Sequence, residues 1–233
     1  MNQIISQHGW GLDNSFWKPL KDQFISRDWL WQDNERGYFH ANLRNSEWTK
    51  NESINSIKMA ICHSLGIHLI ADKTLLSATH AVLINSFYNF IPDNFEKELT
   101  YRSLKRMEKK IGGSEKIQML KSFINRSFLP NEINNYFQKR YIQKLNNINT
   151  NNLKDDFQNL YFLNKPKKLF SEKCNILIIK SKNDFILKEN AANNLIHILN
   201  KTQIVTPKVV EVKNQGHITC NLDIFKIIQN WLS

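Results

Sequence analysis

Short, almost continuous apolar runs recur near both ends of the chain, each followed by a longer stretch of mixed polarity. This is the pattern of buried strands joined by crossover helices. Gln3-Ile4-Ile5-Ser6 reads as the first strand, Asn14 to Ile25 as a helix after the turn at Gly9 and Gly11, and Trp29-Leu30-Trp31 as the next strand. A helix signalled around Lys50 to Glu52 runs through Ser53 to Ile57. Lys58-Met59-Ala60-Ile61-Cys62 is then a buried strand turning at His63-Ser64 into a helix from Leu65, and Ala81 to Ser86 is another strand. Its almost continuous apolar character fits a parallel sheet covered on both faces. After a long interval the alternation resumes, with strands at Cys174 to Ile179 and Pro207 to Val212 and helices at Lys188 to Leu199 and Leu222 to Leu232.

The interval is different in kind. From Phe90 to Lys168 no such strand occurs; helical stretches rich in Lys, Arg, Asn and aromatics dominate, broken at Gly112-Gly113 and Pro130. The expected class is therefore α/β, a mostly parallel sheet of about six strands. Residues 1–89 and 169–233 form its core, and residues 90–168 are a helical cap inserted into it.

Composition narrows the picture. A chain of 233 residues with 41% hydrophobic positions, 7 Gly and 5 Pro is long enough to bury a core and is neither disordered nor fibrous. The formal charge of +11 suits acidic partners, although an AT-rich genome supplies Lys, Asn and Ile without selection for basicity, so the placement of charge matters more than its sum. The cap segment carries 16 Lys+Arg against 8 Asp+Glu and so holds most of the surplus. Three cysteines, Cys62, Cys174 and Cys220, lack metal-ligand spacing and read as reduced thiols. No apolar run approaches the roughly 18 residues that cross a bilayer, and the first residues have neither a basic leader nor a long apolar region. These features lead us to expect a cytoplasmic monomer without a membrane or nucleic-acid partner.

Candidate chemistry sits at the strand ends. In Cys62-His63-Ser64-Leu65-Gly66 a serine stands at a sharp strand-to-helix turn, with a small residue two before it and a glycine two after it. Such a nucleophile elbow needs small neighbours because the serine adopts strained backbone geometry while the helix packs close; the same turn aims the Leu65 N–H at the reacting centre. Cys62 stands where the usual pattern has its first glycine. A serine hydrolase of this architecture then needs an acid after a later strand and a histidine after the last. Asp184 follows the strand ending at Ile179, and His217 follows the strand ending at Val212. The order Ser64, Asp184, His217 is the expected triad; no acid stands after the strand Ala81 to Ser86. His8-Gly9-Trp10-Gly11 after the first strand lets the Trp10 N–H join that of Leu65 as an oxyanion hole. Trp10 also walls the acyl pocket.

With these residues in place, the chain resembles the α/β-hydrolase superfamily over nearly its whole length. His8-Gly9-Trp10-Gly11-Leu12, Trp17, Ser64-Leu65-Gly66 and a helical cap are similar to the pimeloyl-[acyl-carrier protein] methyl ester carboxylesterases of biotin synthesis, in a short, divergent, cyanobacterial-like form that lacks the first two strands of the usual eight. Ile67 stands where the family has a second glycine after the elbow. The resemblance implies acyl-chain contacts from Trp10, Leu65, Phe123 and His217, no metal or organic cofactor, and an acyl-carrier protein bearing a pimeloyl methyl ester as the substrate-delivering partner. By the same resemblance Arg126, Lys139, Arg140 and Lys144 of the cap would grip that acidic carrier.

Two other functions fit the same residues: another serine esterase or acyl thioesterase, separable by its products, and a non-catalytic anion-binding protein on a hydrolase scaffold. The remaining conspicuous residues have plainer readings. His63 and His68 are five apart, which does not put two metal ligands on one helix face, and Cys220 reads as a small buried residue. Asp33, Glu35, Arg36 and Gly37 form a loop beside the site with no assigned role.

Overall fold

Alternation along each strand decides which side chains face which layer. The computed structural model describes residues 1–39, 42–50, 56–133, 135–163 and 168–233. Ile4, Ile61, Val82, Ile84, Leu177 and Ile179 point to one face of the sheet, whereas Ile5, Ala60, Cys62, Ala81, Leu83, Ile176 and Ile178 point to the other. Both faces are apolar, so both must be covered. Leu20 and Phe24 of α1 (Lys18–Ile25) pack on the first face with Phe225 and Ile228 of α9 (Leu222–Leu232). The second face takes Leu75 of α3 (Asp72–Leu76) and Leu195 and Leu199 of α8 (Glu189–Thr202).

The strands are β1 (Gln3–Gln7), β2 (Leu30–Asp33), β3 (Lys58–His63), β4 (His80–Ile84), β5 (Asn175–Ser181) and β6 (Lys208–Val212). They form one sheet in the order β2-β1-β3-β4-β5-β6, parallel throughout. The chain winds outward from β1 to β2, then returns to the other side of β1 and proceeds from β3 to β6. Winding therefore reverses between β1 and β3, and the crevice beyond the carboxyl ends of those two strands is where an α/β sheet binds ligands.

Local differences from the sequence reading have local causes. The helix expected over Asn14 to Ile25 begins as a 3-10 turn, Asn14–Trp17, capped by the Asp13 side chain, and becomes α-helical only where Pro19 enters the first turn. The helix expected after Leu65 is two short ones, α2 (Gly66–Leu69) and α3, separated by extended backbone at Ile70 and Ala71. Of the helix expected around residues 50–57, positions 51–55 lie outside the described residues, and Ser56 and Ile57 are not helical.

Between β4 and β5 lie four α-helices among the described residues: α4 (Lys97–Ile111), α5 (Lys116–Phe128), α6 (Asn135–Lys144) and α7 (Thr150–Gln158). Gly112 follows the first of them, and the second stops two residues before Pro130, which cannot continue a helix. Among the described residues no helix is long and apolar enough to cross a membrane.

Candidate active site

Ser64 follows β3 with φ of 52°, a left-handed conformation that a side chain adopts only when its surroundings impose it. Here the Ser64 N–H donates to the carbonyl of Ile84 at 3.0 Å, pinning the turn to the neighbouring strand end. Gly66 makes the sharp turn possible: a Cβ there would lie 2.4 Å from the backbone oxygen of Gln7, so only glycine lets α2 start against β1.

His217, in the loop after β6, places Nε2 2.9 Å from Ser64 Oγ and Nδ1 2.6 Å from Asp184 Oδ2. The structure thus brings the three side chains picked out in the sequence into one hydrogen-bonded chain. Asp184 Oδ1 accepts from the N–H groups of Ile186 and Leu187, both at 2.8 Å. Burial alone would raise the Asp184 carboxyl, but attraction to His217 and these hydrogen bonds hold it below the usual carboxylate range. An ionised Asp184 fixes the proton of His217 on Nδ1 and leaves Nε2 to face Ser64. Ser64 is 9% exposed and His217 2%, so the chain lies almost out of contact with water.

The turn after β1 approaches this chain closely. A Cβ on Gly9 would sit 2.7 Å from His63 Nδ1 and 3.0 Å from Ser64 Cβ, and Gly11 has φ of +69°. Both glycines are required, the first by space and the second by conformation. Among the described residues neither the Trp10 nor the Leu65 N–H has a backbone acceptor. The Trp10 indole packs between Phe123 of α5 and Phe157 of α7, with ring centroids 5.2 and 5.1 Å away, and its Nε1 donates to the Leu153 carbonyl at 2.7 Å. Phe123 therefore meets Trp10 beside the turn, and Leu65 is buried next to Ser64.

The loop after β2 supports that turn. His8 donates from Nδ1 to the Gly9 carbonyl at 2.9 Å, and its Nε2 lies 3.3 Å from Glu35 Oε1. Burial pushes the Glu35 carboxyl up, but His8 and the N–H groups of Asn14 and Gly37 more than reverse this and keep it low. Buried Asp33 accepts from Ser6 Oγ and Trp31 Nε1 and pairs with Lys21. Among the described residues neither Asp33 nor Glu35 is hydrogen-bonded to Ser64; each is taken up by the partners named.

The helices between β4 and β5 also reach the loops that hold Asp184 and His217. Arg126 Nε donates to the Phe185 carbonyl at 3.0 Å, and the Ile218 N–H donates to the Ser127 carbonyl at 2.9 Å. A Cβ on Gly216 would fall 2.3 Å from the Leu129 oxygen, so the end of α5 rests directly on the histidine loop. Of the four cationic residues singled out on α5 and α6, Arg126, Lys139 and Arg140 are exposed. Lys144 differs: its ammonium pairs with Asp13 and donates to Ser15 Oγ at 3.0 Å, tying α6 to the core.

A cavity of about 660 Å³ lies beside the histidine loop, with Phe16, Phe39, Phe137, Tyr141 and Ile218 among its apolar walls and Arg140 and Lys144 among its polar ones. It adjoins the site without including Ser64. His68 is engaged elsewhere, with Nε2 2.8 Å from the Phe87 carbonyl. Among the described residues no cluster of three or more His, Cys, Asp and Glu side chains is placed to hold a metal ion.

Two residues at the site had no role in the sequence reading. His63 Nε2 lies 2.9 Å from the His217 carbonyl, and Asn85, just past β4, donates to the same oxygen at 2.7 Å. The sequence signal for Asn85 is slight: a polar residue ending an apolar strand at the same sheet edge as Ser64.

No family model matches the sequence, and no curated protein sequence matches it. Solved structures do match. An esterase from Exiguobacterium antarcticum has a TM-score of 0.69 at 14% identity, covering 100% of this chain and 91% of that one. A bromoperoxidase from Bacillus anthracis has a TM-score of 0.69 at 12% identity, covering 98% and 88%. An enol-lactonase from Burkholderia xenovorans has a TM-score of 0.64 at 14% identity, covering 99% and 91%. The chain has the α/β-hydrolase fold, with a six-stranded parallel sheet.

Proposed function

We propose that this protein is a serine ester hydrolase, and that its substrate is the methyl ester of a pimeloyl chain carried by an acyl-carrier protein. The observation that carries the hydrolase reading is the unbroken hydrogen-bonded path from Ser64 through His217 to Asp184 at three strand ends. The finer reading draws support from Trp10 and Phe123 packed together beside that path, and from the basic cap above it.

In this mechanism His217 Nε2 takes the Ser64 proton as Oγ attacks the ester carbonyl, and Asp184 stabilises the imidazolium so formed. The Trp10 and Leu65 N–H groups hold the tetrahedral oxyanion, and one such donor is worth on the order of 100-fold in rate. His217 returns the proton to the departing methoxide, releasing methanol. Water, losing a proton to His217, then attacks the acyl-enzyme, and His217 passes that proton to Ser64 Oγ as the acyl–oxygen bond breaks, freeing the carboxylic acid and regenerating Ser64. The thioester to the carrier stays outside the cap and is untouched, so discrimination rests on positioning. Exposed Arg126, Lys139 and Arg140 would attract the acidic carrier and raise its encounter rate, an effect that salt weakens; Lys144, half-buried beside Asp13, is less accessible to the carrier.

The test is incubation with pimeloyl-acyl-carrier-protein methyl ester, followed by mass spectrometry. Loss of the methyl group with the thioester intact, absent in Ser64→Ala, supports the full reading. Release of the carrier thiol would identify a thioesterase, and Ser64-dependent cleavage of simple esters alone would leave a serine esterase with a different substrate.

A further inference from the structure

Asn85 stands one residue beyond β4 in a left-handed conformation, φ 45°, with its N–H donating to the Ile179 carbonyl at 2.9 Å. That geometry turns its side chain across the ends of two other segments. Oδ1 accepts from the Ser181 N–H at 2.7 Å, while Nδ2 contacts Ser181 Oγ at 3.0 Å, the Gly216 carbonyl at 3.3 Å and the His217 carbonyl at 2.7 Å. Ser181 closes β5, three residues before Asp184. One buried amide, 2% exposed, therefore binds the stem of the aspartate loop with its oxygen and the backbone of the histidine with its nitrogen.

We propose that Asn85 is the positioning residue that sets the spacing between Asp184 and His217, with His63 as its partner on the shared His217 carbonyl. The inference rests on the serine hydrolase reading for its catalytic consequence but not for its geometry. His63 approaches that oxygen from β3, with Nε2 2.9 Å away and its ring 5.0 Å from the His217 ring. A carbonyl only accepts, so Nε2 carries the proton and His63 is the donor. The His217 backbone is thus clamped from the ends of β3 and β4 at once. A carbonyl held by two donors in a water-poor setting has little freedom to tilt, and the imidazole inherits that rigidity. During ester cleavage the ring must hold one geometry while it gains and returns a proton; Asn85 touches neither Ser64 nor the proton.

Substituting Asn85 separates positioning from simple filling of polar space. Asn85→Ala removes the bridge. Asn85→Asp keeps its shape and its bond from the Ser181 N–H, but turns a carboxylate toward two carbonyl oxygens until that carboxyl is protonated and can donate again. We expect either change to lower kcat by about 100-fold near neutral pH, with KM altered by no more than about threefold, as for a misplacement of about 1 Å. The ratio of Asn85→Asp to wild-type kcat should rise as the pH falls, because protonation restores a donor; a purely structural loss would leave that ratio flat.

The positioning itself is read without substrate, from the downfield proton resonance of the His217 Nδ1–H bonded to Asp184. This signal should move upfield and exchange faster in Asn85→Asp, and in Asn85→Ala where that variant folds. An unchanged resonance together with a flat kcat ratio in a folded Asn85→Asp protein would overturn the proposal. Turnover of a p-nitrophenyl ester by wild type and Ser64→Ala tests the underlying hydrolase reading separately: equal turnover removes that reading, while the resonance still decides the positioning.

Discussion

Arg36, in the loop after β2, forks onto Asp156 of α7, with Nε 2.7 Å from Oδ2 and a terminal nitrogen 2.6 Å from Oδ1. Tyr38 donates its hydroxyl to the same carboxylate at 2.7 Å, and Asn152 donates to the Arg36 carbonyl at 2.9 Å. Burial drives the Tyr38 hydroxyl far above its ordinary value, and the Asp156 charge adds to this, so the phenol remains a donor. Together with the bond from Trp10 Nε1 to Leu153, this fork fixes α7 over the turn after β1.

Breaking that pair from one side should be costly. Among the described residues Arg36→Met leaves Asp156, whose side chain is 4% exposed, with the Tyr38 hydroxyl as its one remaining partner, and stability should fall by about 3 kcal/mol. Removing both charges with Asp156→Leu added should recover part of the loss. Urea unfolding of both variants checks this; equal losses in the single and double variants would mean that the fork does not anchor the cap.

Gly9→Ala forces a methyl group to within 3.0 Å of both the His63 ring and Ser64 Cβ. The turn must retreat and carry the Trp10 N–H with it, which should lower kcat about 100-fold, the scale of one lost oxyanion donor. Steady-state kinetics on a simple ester test this, and an unchanged kcat would place the oxyanion elsewhere.

Asp184→Asn keeps the shape of the acid but favours the other tautomer of His217. Turnover should fall by about 10⁴-fold while the fold is retained, with circular dichroism and ester kinetics as the measurements. A loss of less than tenfold would argue against ionised Asp184 as the partner of His217.

Burial, with repulsion from His217, pushes the His63 imidazole down to about 3 from an ordinary 6.5. Between those values the unfolded chain binds a proton that the folded chain refuses, so His63 makes stability fall on acidification by up to about 1.4 kcal/mol per pH unit. Above that window it contributes no pH dependence. The lowered Asp184 carboxyl acts over a different range: its contribution is present above its ordinary 3.8 and is lost as the pH falls through its folded value. Between pH about 6.5 and about 4 His80, also lowered by burial, and glutamates such as Glu35 act with the same sign, so the His63 share is the difference in urea-unfolding slope between wild type and His63→Asn. His63→Asn should flatten the wild-type slope there, and identical slopes would contradict a neutral buried His63.

The parts of the site that lie at ends of apolar runs could be read from the sequence. Ser64 and Asp184 each follow a strand whose burial on both faces leaves a nearly continuous apolar signature, whereas His217 follows the exposed edge strand β6, legible only from its valines at 209, 210 and 212. Contacts that depend on the return of distant chain were silent. Asn85 looks like any turn residue, because the groups it holds, Ser181 and His217, are 96 and 132 positions away. Lys144 likewise reads as a solvated helix cation until Asp13, 131 positions earlier, comes beside it. The loop from Asp33 to Gly37 had no readable purpose for the same reason: Asp156 is 120 positions beyond Arg36.

The most direct measurement is covalent labelling of the whole protein with a fluorophosphonate, located by peptide mass spectrometry. The account predicts one adduct on Ser64, absent in Ser64→Ala and slowed by orders of magnitude in His217→Ala. No adduct on Ser64 in the wild-type protein, or labelling that is indifferent to His217, would contradict it.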